Sequence, residues 1–267
     1  MKEEKRFPFA STVLVGTVLI VYLLLSAETP YITEEGLDKF SLNPNEPLSV
    51  VTHLFIHVGI FHLIGNIVPL LLFALVLESA AVAIDVFLIF FASGIIASLL
   101  FQLTNQGVPL IGASAAISGL LSATMLVKPK KALFLLIVTP ILISAVLYPA
   151  ADYGEKFFKE NLEDKRVAQE MTLTKAIEEG KPPEVIMQIN QTLQATSEKI
   201  AITQEGQERE ESTPSDFMVH IYGALIGAFY IYFLKRNLLK AAEKEFVEIG
   251  SWMFMALDWV QRKAKRR

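Results

Sequence analysis

The chain contains no cysteine among its 267 residues. Disulfides, cysteine-ligated zinc, iron–sulfur clusters and cysteine nucleophiles are therefore excluded. Charge is sparse as well. Asp, Glu, Lys and Arg make up 19% of the residues, below the roughly 25% usual for soluble domains. Histidine occurs only four times, and never in the polar segments where an imidazole would be cheap to keep. What the chain does have is apolar residue, 52% of the total, with a mean hydropathy of +0.44. That balance fits a polytopic membrane protein and excludes an ordinary soluble domain. The net charge of −4 says little, because its sign changes from segment to segment.

A membrane span needs about 20 apolar residues. Candidates are 9–27, 49–77, 80–104, 108–127, 132–150 and 217–234, which predicts six helices and an all-α membrane protein. The first run follows Lys5-Arg6, is longer than a signal-peptide core, and ends with only Ala27 as a small residue, so a retained helix is expected. Glu78-Ser79 alone separates the second and third spans, implying a tight hairpin. Asn105–Pro109 reads as a turn, and Lys128–Lys131 divides the fourth span from the fifth.

Lys and Arg in the connections predict orientation. Lys2, Lys5 and Arg6, then Lys128, Lys130 and Lys131, then nine basic residues from Lys235 to Arg267, all fall on one side of a six-span chain. That side should be the cytoplasm, with both termini in it. The other side receives 28–48, with five acids against Lys39, and the polar stretch 151–216.

Segment 151–216 carries 15 acids and eight bases. It reads as an external acidic insertion between spans five and six. Residues 155–180 and 183–200 have helical composition, Lys181-Pro182-Pro183 breaks them, and Gln204–Ser215 is expected to be flexible. The 235–267 tail carries Trp252, Phe254, Trp259 and the run Arg262–Arg267, and reads as a basic amphipathic helix lying at the membrane interface.

Polar residues inside the apolar runs are costly there and invite a functional reading. His53, His57, His62 and Asn66 occupy the second span. Spaced by four, His53 and His57 share one helical face, and His62 and Asn66 share another. Three readings stand side by side: half of a metal site, a buried hydrogen-bond network, or N–H donors aimed at a reacting oxygen. Ser114 opens the fourth span after Gly112, a residue that permits a sharp start to the helix. His220 lies one turn into the sixth span, and Gly223 and Gly227 on that span make a small-residue face for close helix packing. If that face meets the fourth span, the imidazole reaches Ser114 as a base, which a serine nucleophile requires.

These motifs resemble the rhomboid intramembrane serine proteases. The likeness lies in His53-x-x-x-His57 and His62-x-x-x-Asn66, in Gly112-x-Ser114, and in His220-x-x-Gly223-x-x-x-Gly227, in that order along the chain. The resemblance implies a six-helix rhomboid-like bundle with an external helical insertion between helices five and six. It implies a Ser114 nucleophile and a His220 base acting as a dyad, with His62, Asn66 and the Ser114 N–H as the oxyanion site. Ser98 and Gln102 look like the polar pair that holds catalytic water in the family, and Gly112, Ala115, Gly223 and Gly227 would support the site. There are departures. Ala115 stands where the family usually has glycine, and Ser118 where many bacterial members have tyrosine. Leu48-Ser49 stands where many have a Trp-Arg pair.

The function implied is hydrolysis of peptide bonds in or near the helices of single-pass membrane proteins, with the lipid bilayer as the medium. No cofactor, metal or nucleic acid is expected. The absence of cysteine and the Lys/Glu-rich polar segments fit the plasma membrane of a prokaryote. Two other classes compete: a rhomboid-like protein that binds membrane clients without cutting them, and a transporter whose histidines line a proton path.

Overall fold

The computed structural model describes residues 7–26, 28–43, 46–106, 108–212 and 217–264. The basic start Lys2, Lys5 and Arg6, the candidate processing residue Ala27, and Thr213–Ser215 lie outside the described residues, as do the side chains of Trp259 and Arg262–Arg267.

The first apolar run forms α1 (Phe9–Leu25), followed by the short α2 (Glu34–Phe40) and α3 (Ser49–Thr52). Then come α4 (Ile60–Glu78) and α5 (Ala83–Thr104), joined by a tight turn. Next are α6 (Ser114–Val127), α7 (Pro129–Leu142), α8 (Tyr148–Glu178), α9 (Pro183–Ser212), α10 (Phe217–Phe229) and α11 (Arg236–Ala264). Among the described residues there is no strand, only one isolated bridge between Tyr31 and Gly59. Ile60–Glu78, Ala83–Thr104, Pro129–Glu178 and Phe217–Leu234 are long and apolar enough to cross a membrane, whereas Phe9–Leu25 and Ser114–Val127 are shorter apolar helices.

The packing is that of an all-α membrane bundle. Leu14, Leu70, Phe73, Leu77, Ile89, Phe90 and Leu120 fill its interior. Large apolar side chains such as Leu24, Leu103, Phe134 and Ile137 face outward, an arrangement suited to hydrocarbon rather than water. The short α6 is the centrepiece, packed against α4, α5, α7 and α10. Its buried face is built from Ala115, Ala116, Gly119 and Ala123, and such small side chains let neighbouring backbones approach.

Four expectations need correction. Residues 49–77 do not form one helix. The chain is helical only to Phe55, runs extended through Ile56, and restarts at Ile60 after an extended Gly59. His53 and His57 therefore sit on a separate segment from His62 and Asn66. Second, 108–113 precedes rather than begins the fourth core helix, because the left-handed Gly112 (φ +98°) cannot continue a right-handed helix. Third, no break separates the fifth apolar run from the insertion: α7 continues through a π turn at Ile143–Leu147 into α8, one rod over Pro129–Glu178. Pro140 inside α7 has no N–H to give and its ring crowds the preceding turn, and the wider turn that follows absorbs this. Fourth, Gln204–Ser212 is helical, because α9 runs to Ser212.

Two polar anchors hold the bundle at the end away from Ser114. The Glu78 carboxylate accepts from the Ala10 and Ser11 N–H groups at 2.8 and 2.9 Å and from the Ser11 hydroxyl at 2.6 Å. It thereby caps α1 from the end of α4. Asp85 accepts from Tyr230 Oη at 2.7 Å and pairs with Lys235 Nζ at 2.8 Å. This ties the start of α5 to the π turn Tyr230–Leu234 that ends α10.

Candidate active site

Ser114 is the first residue of α6, and the Ala113 before it supplies no side-chain cap. The N–H groups of the first turn thus lack carbonyl partners one turn back and point their partial positive charge out of the helix start. The chain reaches this position through Gly112, whose N–H donates to the His53 carbonyl at 2.8 Å. A Cβ on Gly112 would stand 2.8 Å from His62 Nε2. The His62 ring therefore lies directly over the backbone two residues before Ser114.

His62 and Asn66 lie one turn apart on α4. The Asn66 amide donates one N–H to the His62 carbonyl at 2.9 Å, leaving its second N–H for another acceptor. His57 stands edge-on against His62, ring centres 5.0 Å apart. His53 Nδ1 is 2.7 Å from the Ser49 carbonyl and Nε2 is 3.0 Å from Ser98 Oγ. A carbonyl can only accept, so the proton sits on Nδ1 and the Ser98 hydroxyl donates to Nε2. His53 thereby braces α5 against the segment that leads to α4. Gln102 Nε2 donates to the Val108 carbonyl and ties α5 to the loop before Ser114. Ser98 and Gln102 thus each hold a part of the surrounding frame. Among the described residues no three His, Cys, Asp or Glu side chains converge in a way that could hold a metal.

The histidine of the last core helix arrives by backbone contact. A Cβ on Gly223 would overlap the Ala115 carbonyl, and one on Gly227 would overlap the Gly119 carbonyl. Helices α6 and α10 therefore touch backbone to backbone over one full turn, in the same register at both points. Ser122 Oγ locks the pair by donating to the Ala224 carbonyl at 2.7 Å. Ser114 precedes Ala115, and His220 lies three residues before Gly223, so both stand at the same end of this contact, each half-buried. Ser118 turns back to donate to the Ser114 carbonyl at 2.9 Å, and Ala115 itself is buried.

One residue at this end was not foreseen. The start of α4 has Gly59 at its cap position, with no side chain to offer. The Glu210 carboxyl group, from α9, accepts from the backbone N–H of His62 instead through Oε1. Glu210 belongs to a run of glutamates, Glu205, Glu208, Glu210 and Glu211, and nothing in local spacing separates it from its neighbours. Only the long-range packing of α9 does so.

The family model described as Rhomboid domain matches residues 44–167. The matched stretch holds His53, His57, His62, Asn66, Ser98, Gln102, Gly112, Ser114 and Ala115, and stops within α8, short of His220, Gly223 and Gly227. No curated protein and no solved structure matches the chain. The chain is thus an all-α membrane protein that carries a Rhomboid domain over residues 44–167.

Proposed function

We propose that the protein is an intramembrane serine endopeptidase working through a Ser114/His220 dyad. Rhomboids are in general serine proteases of the membrane. The observation that carries the reading for this chain is the backbone contact of Gly223 with Ala115, which brings the two residues to the same end of one helix pair. In this mechanism His220 takes the Ser114 hydroxyl proton as Oγ attacks the scissile carbonyl carbon. The negative charge formed on the carbonyl oxygen is met by the Ser114 N–H, the second Asn66 N–H and the His62 ring. Each such donor is worth about 3–4 kcal/mol in soluble serine enzymes. The imidazolium then protonates the departing amine as the C–N bond breaks. Water attacks the acyl-enzyme, giving its proton back through His220, and releases the acid with Ser114 restored.

The substrate class is a single-pass membrane protein whose helix unwinds where it meets the Ser114 end of the bundle. Six spans with both termini in the cytoplasm would set that end, and the α8–α9 insertion, on the external side of a prokaryotic plasma membrane. The basic residues of the 128–131 connection and of the 235–267 tail support this orientation. Incubation of the purified protein with a transmembrane model substrate should give Ser114-dependent cleavage, lost in Ser114→Ala and His220→Ala. A fluorophosphonate should label the wild type and neither variant. Cleavage surviving in Ser114→Ala would end the proposal. A wild type that binds substrate but neither labels nor cuts would point to a client-binding protein instead.

A further inference from the structure

The α8–α9 insertion is seated on the start of α4. Tyr31 lies fully buried between the two: a Cβ on Gly59 or on Gly206 would overlap its ring. Its hydroxyl donates to Glu155 Oε1 on α8 at 2.9 Å, and Glu155 pairs with Lys159 at 3.0 Å. The Tyr31 strand-like segment also bonds the chain entering α4, with the Ile32 N–H donating to the Val58 carbonyl at 2.9 Å. On α8, Tyr148 stacks edge-on against Phe61, ring centres 5.4 Å apart. Into this frame α9 delivers Glu210, whose Oε1 takes the His62 N–H.

The consequence is specific. Gly59 leaves α4 without a cap of its own, and the first-turn N–H groups of a helix go unsatisfied unless another group reaches them. The missing acceptor comes from a residue 148 positions further along the chain. The N–H it holds belongs to His62, whose ring stands over Gly112 beside Ser114. We propose that Glu210 is a positioning residue of the active site, by which the insertion fixes the backbone of His62 and so aims its ring at the developing oxyanion. The acidic insertion is then a working part of the catalytic centre rather than a tolerated expansion of a loop. This inference rests on the dyad reading above.

The full chain is compared with Glu210→Gln, Glu210→Met and Glu211→Ala, by cleavage of a transmembrane substrate in proteoliposomes. Gln keeps an oxygen acceptor, Met keeps the volume and has none, and Glu211 is an exposed neighbour on the same helix. Loss of one such cap is worth roughly a five- to ten-fold factor when it is felt only in the transition state. Glu210→Met should therefore lower kcat about ten-fold with KM unchanged, Glu210→Gln should recover most of it, and Glu211→Ala should match the wild type. A Met variant with wild-type kcat overturns the proposal. So does a loss in which Gln and Met fall together, or one confined to KM. A wild type that shows no Ser114-dependent cleavage removes the dyad reading itself, which separates the two failures. Should the Met variant not fold, the Gln variant carries the test through His62. In a His62→Ala background, Glu210→Gln must then leave kcat unchanged, and a difference that persists overturns the proposal.

Discussion

The α6–α10 contact predicts what one methyl group does to catalysis. In Gly223→Ala the added Cβ would overlap the Ala115 carbonyl oxygen and lie 2.9 Å from its carbon and 3.3 Å from Ala115 Cα. Ordinary contact begins near 3.5 Å, and every atom met is backbone, so no rotamer change relieves the overlap. The helices must part by on the order of 1 Å. Overpacking of this kind costs about 1–3 kcal/mol, which the bundle survives. The reaction should not, because a displacement of about 1 Å between reacting groups costs roughly 100-fold in rate. Gly223→Ala should therefore remain folded, with a thermal midpoint lowered by a few degrees, while kcat/KM for a transmembrane substrate falls about 100-fold. Gly154→Ala is the matched control: nothing lies within 4 Å of its Cβ, and it should keep full activity with slightly raised helix stability. A Gly223→Ala enzyme cutting at the wild-type rate would refute both the contact and its role in joining Ser114 to His220.

Gly112→Ala places a Cβ at φ +98° and 2.8 Å from His62 Nε2, so kcat should fall at least about ten-fold with KM held. Gly180→Ala carries a similar backbone penalty at φ +63° with nothing near it, and should leave the rate alone. Asp85→Ala strands Tyr230 and Lys235 at the far end of the bundle. It should lower unfolding stability by about 2 kcal/mol without changing kcat, and a loss of rate there would argue against a purely structural anchor. Glu210 adds a pH dependence. Burial, opposed by the His62 N–H and reinforced by Glu155, holds its pKa up at about 7 against 4.5, with Glu211 and the hydroxyls of Tyr22, Tyr31 and Tyr148 also facing it. A raised carboxyl pKa means the folded state keeps its proton longer than the unfolded chain, so stability declines as pH rises from about 4.5 to about 7 and is level above. The cost to the anionic state is on the order of 2 kcal/mol once solvent at its open side is allowed for. The thermal midpoint of Glu210→Gln should lack this component, and equal pH profiles for the two proteins would contradict the burial of Glu210.

The apolar runs, the turns between them and the short chemical motifs were legible because each depends on neighbours in sequence. Ser114 after Gly112, the His62/Asn66 spacing and the Gly223/Gly227 face could all be read from local rules. The break at Ile56–Gly59 could not. The stretch from 49 to 77 carries no Asp, Glu, Lys or Arg to mark a break, and the helix stops there because Tyr31 pairs with Gly59 and Val58 with Ile32, contacts made by a distant segment. The same holds for the insertion. Its composition gave two helices and the Pro182-Pro183 break, but Gln204–Ser212 read as flexible because its apolar residues are few. Gly206 is helical because it fits beneath the Tyr31 ring, a reason that exists only in three dimensions.

Three helix starts differ in a way that bears on the proposed role of Ser114. The first turn of α1 is closed by Glu78, reaching over from the end of α4. The first turn of α4 is closed by Glu210, reaching over from α9. In both cases a carboxyl group takes N–H groups at a helix start that would otherwise cost stability. The start of α6 has Ala113 at the cap and no side-chain acceptor. A carboxylate there would repel the oxyanion that the proposed attack of Ser114 forms. Under the proposed mechanism, a helix start without a side-chain cap keeps its N–H groups for charge that exists only during reaction, where binding energy becomes rate. Ala113 is itself buried in the apolar core, so Ala113→Asp should lower the thermal midpoint and reduce kcat by at least about ten-fold. A folded Ala113→Asp variant that kept its rate would show that the α6 start takes no part in catalysis.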